Sequence, residues 1–194
     1  MVERGRTGTD APLFAWGDAL RAARARRAML RQRAVWLGVG IAILGATIAA
    51  PPRPRLVWNA SASAPLGLYG ITYHSTMRRG STVLARLPAD MRALAAARHY
   101  LPSNVPLIKS VAAVAGDEVC ALGPTIFIDG APVVTRRTYD FAGRMLPWWD
   151  GCHRLRDGEL FLLMRGSAAS FDGRYFGVTT RRDIIGKAHL TWSR

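Results

Sequence analysis

The feature that most restricts the fold of this chain is an uncharged apolar run of 17 residues, from 34 to 50. As an α-helix the run would be about 26 Å long, at the short end of what crosses the hydrocarbon core of a bilayer. Pro51 and Pro52 follow it and would end the helix. The run therefore predicts one membrane-spanning anchor over residues 34–50, with a separate domain after it.

The distribution of arginine predicts the orientation of this anchor. The first 33 residues contain eight arginines, whereas Arg53 and Arg55 follow the run. Because an excess of basic residues marks the cytoplasmic side, residues 1–33 are predicted to be cytoplasmic and the chain after residue 50 periplasmic, at the inner membrane. A cleaved secretory signal is the alternative. The long leading segment and the proline directly after Ala50 favour an uncleaved anchor.

The net charge of +14 raises the question of nucleic acid binding. Much of the excess arginine lies in the first 33 residues, and the rest is scattered among acidic residues without a nucleic-acid-binding motif. The sequence therefore predicts no direct binding of nucleic acid. The membrane and a protein substrate are the partners it indicates.

Short alternating segments after the anchor predict a mainly β domain over residues 59–194, reached through a tether over residues 51–58. An Ala-rich stretch, residues 91–101, predicts one short helical insertion without chemistry of its own, capped by Asp90. An irregular stretch from 135 to 157 predicts a loop. The predicted strands cover residues 67–73, 81–87, 107–115, 125–128, 131–134, 159–164 and 183–190, with Asp129-Gly130 as a type I′ hairpin turn.

Ser63 is the candidate nucleophile of this domain. It stands in Asn59-Ala-Ser-Ala-Ser-Ala-Pro-Leu-Gly67, where small residues, a proline and a glycine predict an uncrowded turn. A substrate backbone could approach a hydroxyl on such a turn. An ordinary turn without function would have the same composition, so the neighbouring residues must decide.

Lys109 is the candidate base. The chain contains 25 arginines and only two lysines, Lys109 and Lys187, so a lysine here calls for an explanation. Lys109 stands in an apolar strand, where burial would remove water from its amine and allow it to lose its proton, as an arginine cannot. A lysine that reaches out of the end of the strand is the structural alternative. A serine with a lysine base is a known nucleophile pair in acyl transfer.

Three segments together resemble the type I signal peptidases, and the closest similarity is to the TraF branch of conjugal transfer peptidases. They are Ser-x-Pro-x-Gly-x-Tyr at 63–69, Lys-x-Val-x-x-x-x-Gly-Asp at 109–117 and Ser-Phe-Asp-Gly-Arg-Tyr-Phe-Gly at 170–177. Their order and spacing across residues 59–192 make the resemblance specific, although each segment alone is weak. The resemblance implies a signal-peptidase-like β domain and a serine/lysine endopeptidase.

The resemblance also implies roles for individual residues. Ser63 matches the nucleophile, Lys109 the base, and Ser61 a hydroxyl that supports the oxyanion hole, while Asp172 and Arg174 match a supporting acidic motif. The sequence departs from the bacterial leader peptidases in having Gly166-Ser167 without the Gly-Asp-Asn that begins this motif there. That departure argues against a housekeeping leader peptidase. Ala115, where a proline often precedes Gly-Asp, changes little.

Cys120 and Cys152 are the only cysteines, and a pair on the outward side of a membrane predicts a disulfide. Two cysteines without a paired histidine do not suggest a metal site, and the predicted chemistry needs no cofactor. His74, His99, His153 and His189 have no ligand spacing. A Ser-His-Asp triad built from them is an alternative that no spacing selects. Lys187 is the competing base, but it matches no catalytic motif.

The apolar cluster Leu146-Pro147-Trp148-Trp149 is a candidate membrane contact, with burial in the core as the equal alternative. The function predicted for the whole chain is a membrane-anchored serine endopeptidase that processes an exported precursor. The resemblance implies maturation of a conjugative, prepilin-like precursor, with cyclisation as a further step. A general type I signal peptidase and an inactive structural subunit of a secretion or mating channel are the alternatives.

Overall fold

The computed structural model describes residues 11–50 and 53–193 of the chain. The chain divides into two compact units, Met1–Arg53 and Pro54–Arg194. Residues 1–10 of the predicted cytoplasmic segment and residues 51–52 of the predicted tether lie outside the described residues.

The first unit contains one helix, α1, over Ala11–Ala49. Its 39 residues correspond to about 58 Å, so the helix extends well beyond the apolar run and includes arginines from Arg21 to Arg33. By length and composition, Trp16–Ala49 could cross a membrane, and it is the one such helix among the described residues. Its large apolar side chains are exposed, as Trp36, Ile41 and Leu44 illustrate.

The second unit is mainly β, and the predicted fold class is confirmed. Seven strands form one sheet in the order β1-β2-β11-β3-β4-β9-β10, and four form another in the order β7-β6-β5-β8. The strands are β1 (Leu56–Asn59), β2 (Gly67–Thr72), β3 (Thr82–Ala85), β4 (Leu107–Ala113), β5 (Glu118–Leu122), β6 (Thr125–Ile128), β7 (Ala131–Thr135), β8 (Gly151–Arg154), β9 (Glu159–Leu163), β10 (Thr179–Thr180) and β11 (Ile184–Ser193). All named strand pairs are antiparallel.

The predicted tether is partly wrong. The second unit begins at Pro54, and β1 pairs with β2 instead of forming a free linker. The connection between β1 and β2 carries Ser63. Gly67 begins β2 where a Cβ atom would lie 2.1 Å from the carbonyl oxygen of Trp192 on the neighbouring strand, so only glycine allows the close approach that holds this connection in the sheet.

Strand β4 carries Lys109 through the interior of the larger sheet, between β3 and β9. Six of its seven residues, including Lys109, are buried, because strands flank it on both edges and apolar side chains cover both faces. The strand ends at Ala113, two residues before the predicted end. Lys109 lies directly opposite Val83 of β3.

Apolar side chains fill three buried clusters. One packs Val83, Val111 and Leu162 on one face of the larger sheet, and another packs Tyr69, Leu84 and Ile108 on the other face. The third lies between the sheets, since it combines residues of β4 and β9 with residues of β5 and β6. Successive side chains of one strand point to opposite faces, so the same strands contribute apolar residues to the clusters on both faces of the larger sheet.

The smaller sheet contains the predicted hairpin. Asp129 and Gly130 have φ angles of 49° and 77°, and positive values at both central residues are those of the expected type I′ turn. Cys120 on β5 and Cys152 on β8 are direct cross-strand partners joined by a disulfide. The predicted disulfide is therefore present, but it joins two strands instead of pinning a loop.

The prediction of one loop over residues 135–157 is wrong in part. Residues Gly151–Arg154 form β8, and Tyr139 and Met145 form an isolated bridge that folds the intervening residues into a turn. Strand β8 is short and lacks apolar alternation, which is why its pattern did not indicate a strand. Its pairing with β5 defines it.

The aromatic cluster of residues 146–149 contributes to the domain interior, one of the two roles predicted for it. Trp148 is 39% exposed, so the membrane contact stays a prediction. Leu146 is buried, and Trp149 packs against the inter-sheet cluster while its Nε1 donates to the carbonyl of Gly173 at 3.0 Å. The ring of Trp148 covers the guanidinium of Arg136 at 3.9 Å. Both tryptophan rings therefore contact other residues of the domain.

Two short helices complete the unit, α2 over Ala89–Ala97 and α3 over Gly173–Phe176, with a 3₁₀ turn at Arg181–Asp183. The predicted cap of α2 is wrong: Pro88 is the N-cap, no side chain caps it, and Asp90 lies in the first turn. The residues that follow α2 line the cleft into which Ser63 and Lys109 open, so the insertion is not remote from the site.

Candidate active site

A side-chain amide shapes the turn that carries Ser63. Asn59 ends β1 with its side chain buried, and its Nδ2 donates to the carbonyl oxygens of Ser61, Ala64 and Pro65 at 3.0, 3.1 and 3.0 Å. Its Oδ1 accepts from the Ser61 N–H at 3.2 Å. Because this one buried amide forms hydrogen bonds with four backbone groups of the turn, the turn is fixed, and Ser63 is held in a half-buried position.

Two hydroxyls lie side by side on this turn. The Oγ atoms of Ser61 and Ser63 are 3.0 Å apart, and the Ser63 N–H donates to Ser61 Oγ at 3.4 Å. The Ser61 hydroxyl and the Ser63 backbone amide therefore bond each other beside the nucleophile. If the hydroxyl rotates away from the amide, both groups become donors that can bind the oxygen of an attacked carbonyl.

Lys109 reaches Ser63 from below the turn. Its Nζ is 2.9 Å from Ser63 Oγ, and the residue is 3% exposed. Burial is the main reason why the pKa of Lys109 is lowered from its ordinary 10.5 to about 8; the charge of Asp172 opposes this shift and the charge of Arg174 adds to it. The amine can therefore be neutral at mildly alkaline pH and take the proton of the Ser63 hydroxyl.

Ser170 is the second partner of the lysine amine. Its Oγ lies 2.7 Å from Lys109 Nζ, and the residue is 2% exposed. With Ser63 on one side and Ser170 on the other, the amine is fixed in direction by two neutral hydroxyls. Neither carries a charge that would hold the proton on the lysine.

Asp172 and Arg174 form a buried ion pair behind Ser170. Arg174 donates to Asp172 through Nε and Nη2, both at 2.9 Å, and through its backbone N–H at 3.2 Å. Asp172 also accepts from the Met164 N–H at 3.0 Å, while Nη2 donates to the carbonyl of Ser167 at 2.9 Å. The pair holds the chain from Met164 to Ser170 and so orients Ser170. It makes no direct hydrogen bond to Lys109 among the described contacts.

The serines and the lysine open into a cleft of about 630 Å³. Its walls come from the end of β1 and the Ser63 turn, the residues that follow α2, the start of β4, and the segments around residues 137–146 and 167–175. The lining is mainly apolar. An apolar lining of this kind can bind the apolar side chains of a peptide segment.

The alternative catalytic groups lie elsewhere. None of His74, His99, His153 and His189 lines this cleft, and His153 instead bonds Glu159 at 2.8 Å. Lys187 is exposed on β11 and also lies outside the cleft lining. A histidine triad with Ser63 is therefore not assembled in this structure.

Comparison with known proteins decides the family. The family model described as "Signal peptidase, peptidase S26" matches residues 28–193. The chain belongs to the S26 signal peptidase family. Two curated members with the name "Plasmid transfer protein TraF", both from Escherichia coli, are each 30% identical over 146 residues, which cover 69% of this chain and 82% of theirs.

A crystal structure of a signal peptidase I from Enterococcus faecalis is also similar to this chain. The TM-score is 0.35 at 16% identity, over 58% of this chain and 97% of that chain. A score of this size supports no argument about the S26 domain.

Each predicted site residue of this S26 peptidase has a definite place. Ser61, Ser63 and Lys109 lie together at the cleft, Asp172 and Arg174 lie behind it, and Cys120 and Cys152 lie on the other sheet. Sequence reasoning did not assign roles to Ser170 and Asn59. For Ser170, its place at the start of the third motif was the one feature that could have indicated a role. For Asn59, nothing in the surrounding pattern distinguished it from an ordinary turn residue.

Proposed function

We propose that this chain is a serine/lysine endopeptidase that cuts an exported precursor protein. The observation that supports it best is the 2.9 Å contact between Ser63 Oγ and a buried lysine amine whose pKa is lowered to about 8. A buried lysine without a carboxylate in hydrogen-bonding contact is costly for stability. A catalytic use of the neutral amine would explain why it is kept.

The proposed reaction begins with neutral Lys109 taking the Ser63 proton. Ser63 Oγ attacks the scissile carbonyl, and the carbonyl oxygen accepts from the Ser63 N–H and the Ser61 hydroxyl. For this the Ser61 hydroxyl must turn away from the Ser63 N–H that it now accepts from. Lys109 then gives its proton to the leaving amine, which leaves the acyl group on Ser63. Ser170 keeps the lysine amine directed at Ser63 during both transfers.

The acyl-enzyme can be resolved in two ways. Water activated by Lys109 would release a linear product, whereas an amine of the substrate would form a new peptide bond. The plasmid transfer name of the Escherichia coli relatives supports a role in conjugation, with pilin maturation and cyclisation as the specific proposal. A ring is one water lighter than the linear product, so product masses separate the two outcomes.

We place the peptidase at the inner membrane, with α1 as an anchor and the second unit in the periplasm. An apolar helix whose large side chains are exposed calls for lipid or a partner around it. The arginine excess before the apolar run supports a cytoplasmic N-terminus. A general signal peptidase would use the same placement, and an identified precursor would discriminate between the two.

The decisive experiment exploits the two lysines of the chain. We expect Lys109→Arg to abolish precursor cleavage as fully as Ser63→Ala does, because an arginine keeps its proton near neutral pH. Lys187→Arg is the matched control and should cleave like the parent protein, since Lys187 is exposed outside the cleft. Each full-length variant is purified in detergent and assayed by the mass of its products.

Substantial cleavage by Lys109→Arg would end the proposal. Loss of activity in a single histidine variant of unchanged stability would favour a histidine-dependent enzyme instead. Absence of Ser63-dependent cleavage from the parent protein, tested on the precursors encoded beside it, would favour an inactive channel subunit.

A further inference from the structure

One charged side chain in the cleft has neither a role in the proposed mechanism nor an ionic partner. Three charged residues line the cleft: Lys109, Arg137 and Asp140. Lys109 contacts its two serines. Arg137 is exposed. Within residues 11–50 and 53–193 no carboxylate forms an ion pair with its guanidinium.

Asp140 does not neutralise Arg137, because its carboxylate is already occupied. It accepts from the Tyr100 hydroxyl at 2.5 Å, from Arg144 Nε at 2.7 Å, and from the backbone N–H groups of Ala142 and Arg144 at 2.9 and 2.8 Å. The Tyr100 hydrogen bond and these further contacts hold the pKa of Asp140 well below its usual range, so it stays ionised and paired.

The backbone of Arg137 is held rigidly. Its N–H donates to the buried Tyr175 hydroxyl at 3.0 Å, and its carbonyl accepts from Trp148 Nε1 at 3.4 Å. The preceding residue, Arg136, is buried and donates to the carbonyls of Gly123 and Trp149 and to Asp150. Arg137 therefore extends its side chain into the cleft from a fixed base.

The guanidinium of Arg137 keeps its donors available. Its central carbon lies 4.8 Å from the ring centroid of Phe141, whose side chain is 84% exposed. Stacking on a ring occupies the face of a guanidinium and leaves the N–H edge free to bind a planar anion in two places. Much of the remaining wall is apolar, including Leu101, Val105 and Phe171.

We propose that Arg137 is a specificity-determining residue that binds a carboxylate of the precursor within the cleft. This inference rests on the proposed peptidase function. In an apolar cleft a fixed guanidinium favours a carboxylate over the neutral amide of the same shape, since a charge-assisted, bidentate hydrogen bond is lost with the amide. The carboxylate can come from an aspartate or glutamate side chain or from the free C-terminus of the precursor.

The test uses the full-length protein in detergent and a randomised peptide library, supplied with amidated and with free C-termini. Cleaved peptides are sequenced by mass spectrometry for the parent protein and for Arg137→Gln, Arg137→Glu and Arg86→Gln. Arg86 is the matched control, because it is exposed and lies outside the cleft lining. Each substitution removes one positive charge from the same domain, and Arg137→Glu also adds a negative charge.

We expect Asp and Glu to be enriched roughly tenfold over Asn and Gln at one position relative to the cut. Arg137→Gln should remove this preference, Arg137→Glu should shift it to Lys and Arg, and Arg86→Gln should keep it. Enrichment in the amidated library assigns the carboxylate to a side chain. Enrichment only with free C-termini, at a constant distance from the end, assigns it to the terminal carboxylate.

A matched profile for the parent protein and Arg137→Gln, with cleavage still dependent on Ser63, would overturn this inference and leave the proposed function intact. A second measurement covers the case in which no cleavage is seen and the proposed function fails. Library peptides are passed over immobilised Ser63→Ala protein, because their retention depends on binding and needs no turnover. Selective retention of acidic peptides that is lost in the Ser63→Ala, Arg137→Gln double variant would uphold the role of Arg137 even if cleavage failed. Equal retention by both proteins would overturn it.

Discussion

At the scale of single residues, the chemistry depends on how far the fold separates the Lys109 amine from water. Burial disfavours its charged form, and the adjacent ion pair has two opposite effects, because Asp172 raises the pKa of Lys109 while Arg174 lowers it. Desolvation is the largest of the three causes, so the pKa ends near 8. The same amine is therefore both the proposed base and a source of pH-dependent instability.

The first prediction concerns activity against pH. Because the proposed base must be neutral, kcat/KM for a precursor should rise with pH about tenfold per unit and level off above a midpoint near pH 8. Asp172→Asn, where it folds, should move the midpoint to lower pH, since the carboxylate that favours protonated Lys109 is gone. Lys187→Arg should leave the profile unchanged. A midpoint that a histidine substitution removes would contradict the role of Lys109.

The second prediction concerns stability against pH. The folded-state pKa of Lys109, about 8, lies below the ordinary 10.5 of an unfolded chain, so between these values the unfolded state binds more protons. The contribution of Lys109 to the unfolding free energy should rise by about 3 kcal/mol from pH 8 to 10.5 and be lost as pH falls through 8. Lys109→Met should lack this slope.

Thermal or denaturant unfolding of both proteins in the same detergent measures the difference. The packing of methionine and the loss of the Ser170 contact change the offset between the two proteins but not its pH dependence. Parallel stability curves from pH 7 to 10.5 would show that the amine is solvated.

At the scale of elements, the larger sheet positions the chemistry and the smaller sheet supports it. The turn between β1 and β2 carries Ser63, and β4 carries Lys109, so two strand segments far apart in the sequence meet at the cleft. The disulfide ties β5 to β8 within the smaller sheet, at positions whose backbones are already paired. It closes a loop that includes the segment bearing Arg137.

The third prediction follows from this placement. Replacing Cys120 and Cys152 together by alanine should lower the unfolding free energy by about 2–4 kcal/mol, because the unfolded chain loses a cross-link between residues 32 apart. Cleavage should persist at temperatures where the variant is folded, since Ser63 and Lys109 belong to the other sheet. Thiol labelling of the unreduced, unfolded parent protein should find no free thiol; two labelled thiols, or an unchanged stability in the variant, would contradict it.

At the scale of the whole molecule, the two units differ in how their apolar side chains are covered. The second unit buries its aliphatic residues between and around its sheets, whereas the described part of α1 leaves large apolar side chains exposed along its length. The cost of exposing such a surface to water is removed by lipid. The Arg-rich first half of the same helix belongs in water or among headgroups.

The fourth prediction is the topology of the chain. A reporter active only in the periplasm, fused after Arg194, should be active, and the same reporter fused at the N-terminus should not be. The protein should remain in the membrane fraction at its full mass. A soluble product that begins at Pro51 or later would show that the apolar run is a cleaved signal.

Local sequence patterns were enough to predict the main structural elements of this protein. The apolar run, the Asp129-Gly130 turn and the alternating strands are short-range features, so the apolar helix, the hairpin and the mainly β class could be predicted. The scarcity of lysine drew attention to Lys109, and the resemblance of three motifs indicated the family. The cap at Asp90 was predicted wrongly, because Pro88 begins the helix two residues earlier.

Only the tertiary structure decided which groups meet. Lys109 is 46 residues from Ser63 and 61 from Ser170, and no local pattern encodes such contacts. Trp149 was ambiguous between membrane and core until its indole was found bonded to Gly173, 24 residues away. The unpaired state of Arg137 likewise depends on the contacts that occupy Asp140. Propensity acts between neighbours in sequence, whereas burial, pKa and charge pairing are set by residues that the fold brings together.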